Sequence, residues 1–190
     1  MANKDAPFGV RPAGKVGQNA DNGGLSEYII TASATAITQN DLVKMKADGS
    51  IEVAGAGGNV VGSLNGVFFT DATSSKPTFA NNLAGSNAAT DIKGFIYDDP
   101  YQRFEVQSNN SGASELTDIN NCADIAYAVG TAPSMISNSE LNDSTLAAGA
   151  ATLKIHGLSR DPDNSDFASA NVNWLVSINE HEYGKAVDGI

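Results

Sequence analysis

The strongest local folding signal is an Asp48-Gly49 pair that lies between two short runs of alternating apolar and polar residues. These runs occupy residues 42–45 and 51–53, and a glycine-rich stretch follows at 55–59. Asp-Gly between alternating runs is a strong hairpin signal, because both residues tolerate the turn conformations that join antiparallel strands. The sequence therefore predicts a β-hairpin followed by a flexible link. Residues 55–59 lack the Lys and the adjoining Ser or Thr of a phosphate-binding loop.

Other runs of β-branched and aromatic residues extend this pattern along the chain. Gly62 and Gly66 interrupt one run in the way expected of a bend or bulge, and Asp98-Asp99-Pro100 predicts a turn between two others. The predicted strands cover residues 25–33, 60–70, 92–97, 101–107, 135–141, 151–158 and 172–180. About eight strands of this kind predict a mainly β fold, an antiparallel β-sandwich or barrel (jelly-roll-like).

Two segments differ from the strand pattern. Residues 71–91 are rich in Ser, Thr, Asn and Ala and predict a long surface loop. Within residues 114–128 the apolar positions fall near helical spacing, and Ser114 is placed to cap the first turn. This segment is the one short helix that we expect.

In each predicted strand, the alternate positions that are apolar identify the residues expected in the core. In the last strand, alternate residues from Val172 to Ile178 are apolar, and Trp174 is among them. The residues that we expect to be buried are Phe68, Phe104, Val106, Trp174, Val176 and Ile178.

Residues 1–24 contain two prolines, several glycines and no periodicity, so they predict an extended N-terminal arm ahead of a β-rich body at 25–190. We expect the arm to be disordered alone and to become ordered on a partner. Phe8, Arg11 and Lys15 are its candidate contact residues.

Composition excludes several functions. The formal net charge is −11, and the basic residues form no cluster of the kind that a phosphate backbone requires, so we expect no direct nucleic-acid binding. The apolar runs are too short to span a bilayer, and we expect no membrane association. Cys122 is the single cysteine, which rules out an intrachain disulfide, and we expect it to be buried.

Histidines and carboxylates provide two weak candidates for a metal site. His181 lies between Glu180 and Glu182, but on a strand the two carboxylates would face away from it. His156 could approach His181 only if their strands pair.

The acidic segment 161–166 resembles a calcium-binding loop in its first five positions. Asp166 stands where such a loop needs glycine, and Val172 stands where it needs glutamate. A weak, non-standard calcium site near Asp161 and Asp163 stays open. We assign no catalytic, cofactor-binding or metal residue, and because no nucleophile elbow is present we expect a protein that is not an enzyme.

Several segments resemble a family of structural proteins from tailed phages of aquatic bacteria, the decoration or cement proteins of the outer capsid. They are residues 1–24 (MANKDAPFGVRPAGKVGQNADNGG), 65–79 (NGVFFTDATSSKPTF), 98–107 (DDPYQRFEVQ) and 172–183 (VNWLVSINEHEY). The resemblance covers nearly the whole chain and contains no catalytic motif.

The resemblance implies a virion protein on the outer capsid surface, made in the host cytoplasm, that bridges major-capsid-protein subunits and stabilises the shell. It implies the major capsid protein as partner and a homo-oligomer, a trimer in preference to a dimer. The alternatives are a receptor- or glycan-binding virion protein, with Tyr97, Tyr101 and Trp174 as available rings, and a tail or neck component.

Overall fold

The computed structural model describes residues 3–16, 24–32, 34–109, 115–167 and 169–184. Two single-turn 3-10 helices lie in these ranges, at Leu116–Asp118 and Asp143–Thr145. No helix in the described ranges is long and apolar enough to cross a bilayer. The strands are β1 (Arg11–Lys15), β2 (Ser26–Ile29), β3 (Leu42–Met45), β4 (Ile51–Val53), β5 (Gly62–Thr70), β6 (Pro77–Ala80), β7 (Lys93–Tyr97), β8 (Gln102–Gln107), β9 (Cys122–Ala123), β10 (Ile125–Ala126), β11 (Glu140–Leu141), β12 (Leu153–Leu158) and β13 (Asn173–Ile178).

The strands form two main antiparallel sheets. The first has five strands in the order β1-β8-β13-β12-β9. The second has six strands, with β2-β7-β5-β3-β4 in order and β6 paired to β5. Strands β10 and β11 form a small separate pair. The predicted mainly antiparallel β-sandwich is confirmed, and the sheets do not close into a barrel.

The first apolar core lies between the two main sheets. Leu42 of β3 and Val60, two residues before β5, belong to it, and the Trp174 side chain in it has no exposed surface. The Phe167 ring packs 5.6 Å from the Trp174 ring. The five-stranded sheet and its flanks supply Phe104, Val106, Ala123, Leu153, Ile155, Val172, Val176 and Ile178.

A second apolar core lies on the opposite face of the six-stranded sheet. Leu42 and Val43 are consecutive in β3, so their side chains point to opposite faces, and Val43 enters this second core. Connecting segments cover it, including residues of the predicted surface loop 71–91. The loop also contains β6, which the sequence did not predict. The second core comprises Ile30, Ile37, Val43, Ile51, Val61, Leu64, Val67, Phe69, Leu83, Ala89, Ile92 and Ile96.

The predicted hairpin is present as β3 and β4, with Val43 opposite Val53. The Gly49 amide donates to the Lys46 carbonyl at 3.0 Å. Gly49 has a φ of +82°, the left-handed conformation that closes a three-residue loop of this kind. The Asp48 carboxylate accepts hydrogen bonds from the Ser50 amide and hydroxyl, which hold the turn.

A bulge in β5 changes the predicted core in one place. The register of β5 against β7 shifts between Leu64 and Gly66, which confirms the expected bulge. A Cβ atom at Gly66 would lie 2.9 Å from the Ala80 carbonyl oxygen, so a larger residue would push β6 away. Beyond the bulge Phe69 is buried, whereas Phe68 is half-buried on the opposite face. Our assignment of Phe68 to the core was therefore wrong, and the other five predicted core residues are buried.

The predicted helix at 114–128 is also wrong over its described residues. Ser114 lies outside the described residues. Only Leu116–Asp118 is helical, and Ile119 has a ψ of 133°, which ends the turn. Cys122 and Ala123 then pair with β12. Strand pairing that buries both residues outweighs a weak local helical preference.

Residues 3–16 run extended along the body and are held on it by hydrogen bonds. Strand β1 pairs with β8, and the Val10 side chain is fully buried in the first core. Gln107 donates to the Lys4 carbonyl and accepts from the Ala6 amide. The hydrogen-bond partners of these residues therefore lie within the chain itself. We had expected an arm that is disordered until it meets another molecule.

The turn at residues 38–41 connects this N-terminal segment to both cores. The Asp41 carboxylate is fully buried and accepts hydrogen bonds from the Thr38 amide at 2.6 Å and the Thr38 hydroxyl at 2.8 Å. Burial raises the pKa of Asp41, although the hydrogen bonds from Ser137, Thr38 and Ser139 oppose the rise. The Asn40 carbonyl accepts from the Val10 amide at 2.9 Å.

Replacing Trp174 tests the first core. Because this side chain has no exposed surface, Trp174→Ala should lower the free energy of unfolding by about 3–5 kcal/mol. Chemical denaturation monitored by far-UV circular dichroism measures the change. Leu116→Ala is the control, since Leu116 is 71% exposed and its loss should change stability by less than about 0.5 kcal/mol. Equal stability of the two variants would contradict the assignment of Trp174.

Replacing Asp41 tests the turn. Asp41→Asn replaces one of the two accepting oxygens by an amide donor, so the side chain cannot keep all the hydrogen bonds that the carboxylate accepts from Thr38, Ser137 and Ser139, and stability should fall by about 1–3 kcal/mol. Amide hydrogen exchange should show the loss of protection at Val10 and Gly130, whose amides bond to the turn. Unchanged protection at both amides would show that the carboxylate does not hold these segments.

Candidate binding surfaces

A row of side chains crosses four strands on one face of the six-stranded sheet. Ile29 in β2 is opposite Lys93 in β7, Lys93 is opposite Phe68 in β5, and Phe68 is opposite Phe79 in β6. Residues directly opposite each other in antiparallel strands share a face. Phe95 lies two residues from Lys93 on the same face. We call Ile29, Phe68, Phe79 and Phe95 the aromatic face.

On the aromatic face the Phe79 ring contacts the rings of Phe68 and Phe95, and the cluster faces solvent. The Phe68 and Phe79 ring centroids are 4.7 Å apart, and those of Phe79 and Phe95 are 6.2 Å apart with nearly parallel planes. Phe79 is 75% exposed and Ile29 is 65% exposed. An exposed apolar cluster of this kind is typical of a surface that binds another molecule.

The five-stranded sheet covers only part of this face of the second sheet, which explains why the rings are exposed. Phe95 and Tyr97 share a face of β7, and Tyr97 packs against the first core, under the five-stranded sheet. Ser63 of β5, which is opposite Tyr97, is also buried there. The five-stranded sheet therefore covers one end of this face, and the aromatic face is the end that it leaves uncovered.

Polar groups border the aromatic face. A groove of about 460 Å³ beside Phe79 and Phe95 is lined by the side chains of Gln39, Asn65 and Asn81. The Asn81 amide donates to the Ser134 carbonyl at 2.8 Å, which fixes one border. On the other side, Lys93 and Glu27 form an ion pair at 2.8 Å, so the charges next to the rings neutralise each other.

The three residues predicted for capsid contact lie together along the N-terminal segment, with their side chains engaged within the chain. The Arg11 guanidinium lies 4.4 Å from the Phe8 ring centroid and pairs with Glu105 at 2.5 Å. Lys15 pairs with Asp99 at 2.7 Å. Contact of these residues with a capsid stays a prediction.

The two histidines lie at one cleft, because β12 and β13 pair. His156 and His181 both line this cleft, and His181 is buried. In the described part of the chain no group of three His, Cys, Asp or Glu residues is placed to hold a metal ion. Tyr101 also borders the cleft, whereas the Tyr97 ring and Trp174 belong to the first core.

The acidic segment at 161–166 forms a turn held by its own carboxylates. Asp161 accepts hydrogen bonds from the Asp163 amide and from the Asn173 side chain, while Asp166 accepts from the Ser169 hydroxyl. Cys122, as expected, is buried.

A cluster of carboxylates beside the N-terminal segment was not predicted from the sequence. Glu140 lies near Asp5 and Asp143, and burial together with these two negative charges raises its pKa to about 7. Burial also raises the pKa of Asp143, although a hydrogen bond from the Ser108 hydroxyl opposes the rise. Asp5 is far from Glu140 and Asp143 in the sequence, so no local pattern indicated that the three carboxylates lie close together.

These features define a β-sandwich with an exposed aromatic face and a separate cleft at the two histidines. Comparison of the chain with known protein families, with curated proteins and with solved structures found no match.

The raised pKa of Glu140 predicts a dependence of stability on pH. The folded state holds this proton up to about pH 7, whereas the unfolded chain releases it near the ordinary value of 4.5. The stabilisation is therefore fully present below pH 4.5 and is lost as pH rises through 7. Because the group is partly exposed, we expect Glu140→Gln to stabilise the fold by only about 1 kcal/mol at pH 8, with no gain at pH 4. Urea denaturation at both pH values measures this, and an equal change at the two would contradict it.

Proposed function

We propose that this chain is a structural virion protein that binds the outer surface of an assembled tailed-phage capsid and stabilises it by bridging major-capsid-protein subunits. The sequence resemblance suggests this role. The observation that carries the proposal is the aromatic face, a fixed apolar surface outside both cores. In this role the protein acts by binding alone, and the mechanism requires no chemical step.

The aromatic face has properties suited to a protein partner. Its rings lie on strands whose backbones are fixed by sheet hydrogen bonds, so little conformational entropy is lost when a partner covers them. Aromatic side chains commonly contribute the largest share of binding energy in interfaces. The Lys93–Glu27 pair beside them leaves no unbalanced charge that the partner would have to neutralise.

The remaining surface supports the same role. The net charge of −11 and the engaged basic side chains of Arg11 and Lys15 favour a protein partner over nucleic acid. Phe8 remains a candidate for a secondary contact. If the protein forms a trimer or dimer on a symmetry axis of the shell, each copy adds an aromatic face, and modest contacts sum to high avidity.

A receptor- or glycan-binding virion protein is the alternative that a specific observation supports. The amide side chains of Gln39, Asn65 and Asn81 border the groove beside Phe79 and Phe95, and amides next to aromatic rings suit polar ligands. The number of copies per virion separates the alternatives, because a decoration protein approaches the copy number of the major capsid protein. A receptor-binding, tail or neck protein does not.

Replacing Phe79 tests the proposed contact. Phe79→Ala removes the most exposed ring of the aromatic face, so affinity for capsids stripped of the protein should fall at least about tenfold. Co-sedimentation with stripped capsids measures the loss. Since Phe79 is 75% exposed, its replacement should change stability by less than about 1 kcal/mol.

The matched control is Leu116→Ala, which removes an exposed apolar side chain from the 3-10 helix at Leu116–Asp118. This variant should bind capsids as the original chain does. Equal binding by both variants would move the contact away from the aromatic face. If the original chain fails to bind stripped capsids, or if decorated and bare particles release DNA at the same temperature, the capsid proposal is wrong.

A further inference from the structure

A cleft of about 530 Å³ lies between the end of the β12–β13 pair and the turn that precedes β8. This volume is within the range of small-ligand sites. Its lining is mixed in character. Tyr101, Tyr183, Pro100 and Ile178 contribute apolar surface, and Lys154, His156, Ser177, Asn179 and His181 contribute polar groups.

Two tyrosine rings border the cleft, and both are exposed although their backbones are fixed. Tyr101 is 63% exposed and Tyr183 is 56% exposed. The Tyr101 amide donates to the Asp99 carboxylate at 2.8 Å, and its carbonyl accepts from the Val16 amide. Core packing therefore does not explain why these rings are held at the opening.

Tyr183 is fixed at both ends. Its amide donates to Nδ1 of His181 at 3.1 Å, and its hydroxyl lies 3.0 Å from the Tyr28 hydroxyl. Tyr28 in turn donates to the Asp98 carboxylate at 2.7 Å. A ring that is held at its backbone and its hydroxyl is a rigid platform, which loses little entropy when a ligand stacks on it.

The polar side of the cleft offers hydrogen-bonding groups that carry little charge. His156 Nε2 and the Ser177 hydroxyl are 2.8 Å apart. Burial lowers the pKa of both His156 and His181, so both rings are neutral near pH 7. Because Nδ1 of His181 accepts a hydrogen bond, Nε2 carries the proton. The Asp98 backbone lies near enough to raise the pKa of the ring, but in the described part of the chain this buried Nε2 makes no hydrogen bond of ordinary geometry.

We infer that this cleft binds a neutral saccharide, with the apolar face of a pyranose ring stacked on Tyr101 or Tyr183. The ring hydroxyls would bond to Ser177, His156 and Lys154. An oxygen that entered beside His181 would supply the acceptor that its Nε2 lacks. The site is separate from the aromatic face, so the inference does not depend on capsid binding.

The charges around the cleft favour a neutral sugar over an anion. The carboxylates of Asp98, Asp99 and Glu182 lie near enough to His181 to oppose the lowering of its pKa. They offset the positive charges of Lys154 and Arg103, which both lie near enough to His156 to lower its pKa, so the cleft has no excess of positive charge to hold a phosphate or sulfate. A sugar ring matches the lining because it has an apolar face and carries donors and acceptors at its edge.

Titration followed by NMR tests the inference with four probes: maltotriose, cellotriose, triacetylchitotriose and sodium sulfate. We expect saturable shifts of the Tyr101, Tyr183 and histidine ring signals with at least one trisaccharide below about 20 mM. Tyr101→Ala or Tyr183→Ala, according to which ring stacks on the sugar, should weaken that binding about tenfold. Tyr101→Phe should retain it, because the stacking ring is kept.

Phe79→Ala is the control, since it alters the aromatic face and leaves the cleft intact. It should bind the sugar as the original chain does, even if it no longer binds capsids. No shift with any trisaccharide would overturn the inference, as would shifts that persist unchanged in both tyrosine-to-alanine variants. Saturable binding of sulfate alone at these residues would also overturn it and would identify an anion site.

Discussion

The structure depends on a buried carboxylate in the turn that precedes β3. Asp41 holds Thr38 by two hydrogen bonds, and the Thr38 hydroxyl then accepts from the Gly130 amide at 3.1 Å. The backbone of the same turn bonds to Leu64 of β5 and to Val10 of the N-terminal segment. Desolvating a carboxylate is costly unless hydrogen bonds compensate. The turn is therefore stable only when the second sheet, the N-terminal segment and the residue 130 loop all meet it.

Sequence alone predicted what depends on neighbours in the chain. The Asp48-Gly49 hairpin and the alternation from Val172 to Ile178 are local signals, and both are present. The features that it missed depend on distant partners. Strand β1 forms because it pairs with the edge of β8. In segment 114–128, pairing of Cys122 and Ala123 with β12 replaced the helix that the apolar spacing predicted. Local patterns carry no information about which edges are available.

The candidate surfaces were harder to predict than the fold. Phe68 is one residue from Phe69, and the bulge at Gly66 decides which of the two is buried. A single extra residue exchanges the two faces of a strand, so the sequence reading placed Phe68 in the core. The signal that could have identified the aromatic face is the pair of adjacent phenylalanines after a strand glycine. One of two such neighbours must face away from the core that the other enters.

The aromatic face and the first core are two ends of one sheet surface, and this continuity has consequences for folding. Tyr97 of β7 packs against the first core where the five-stranded sheet covers this face, and Phe68 and Phe95 extend the apolar surface past the border. Exposed aromatics next to the edge of β6 with which no described strand pairs would favour self-association of free chains. A net charge of −11 opposes this through repulsion between copies. This repulsion opposes association at long range, whereas the contact proposed at Phe79 depends on short-range apolar packing against a surface of matching shape.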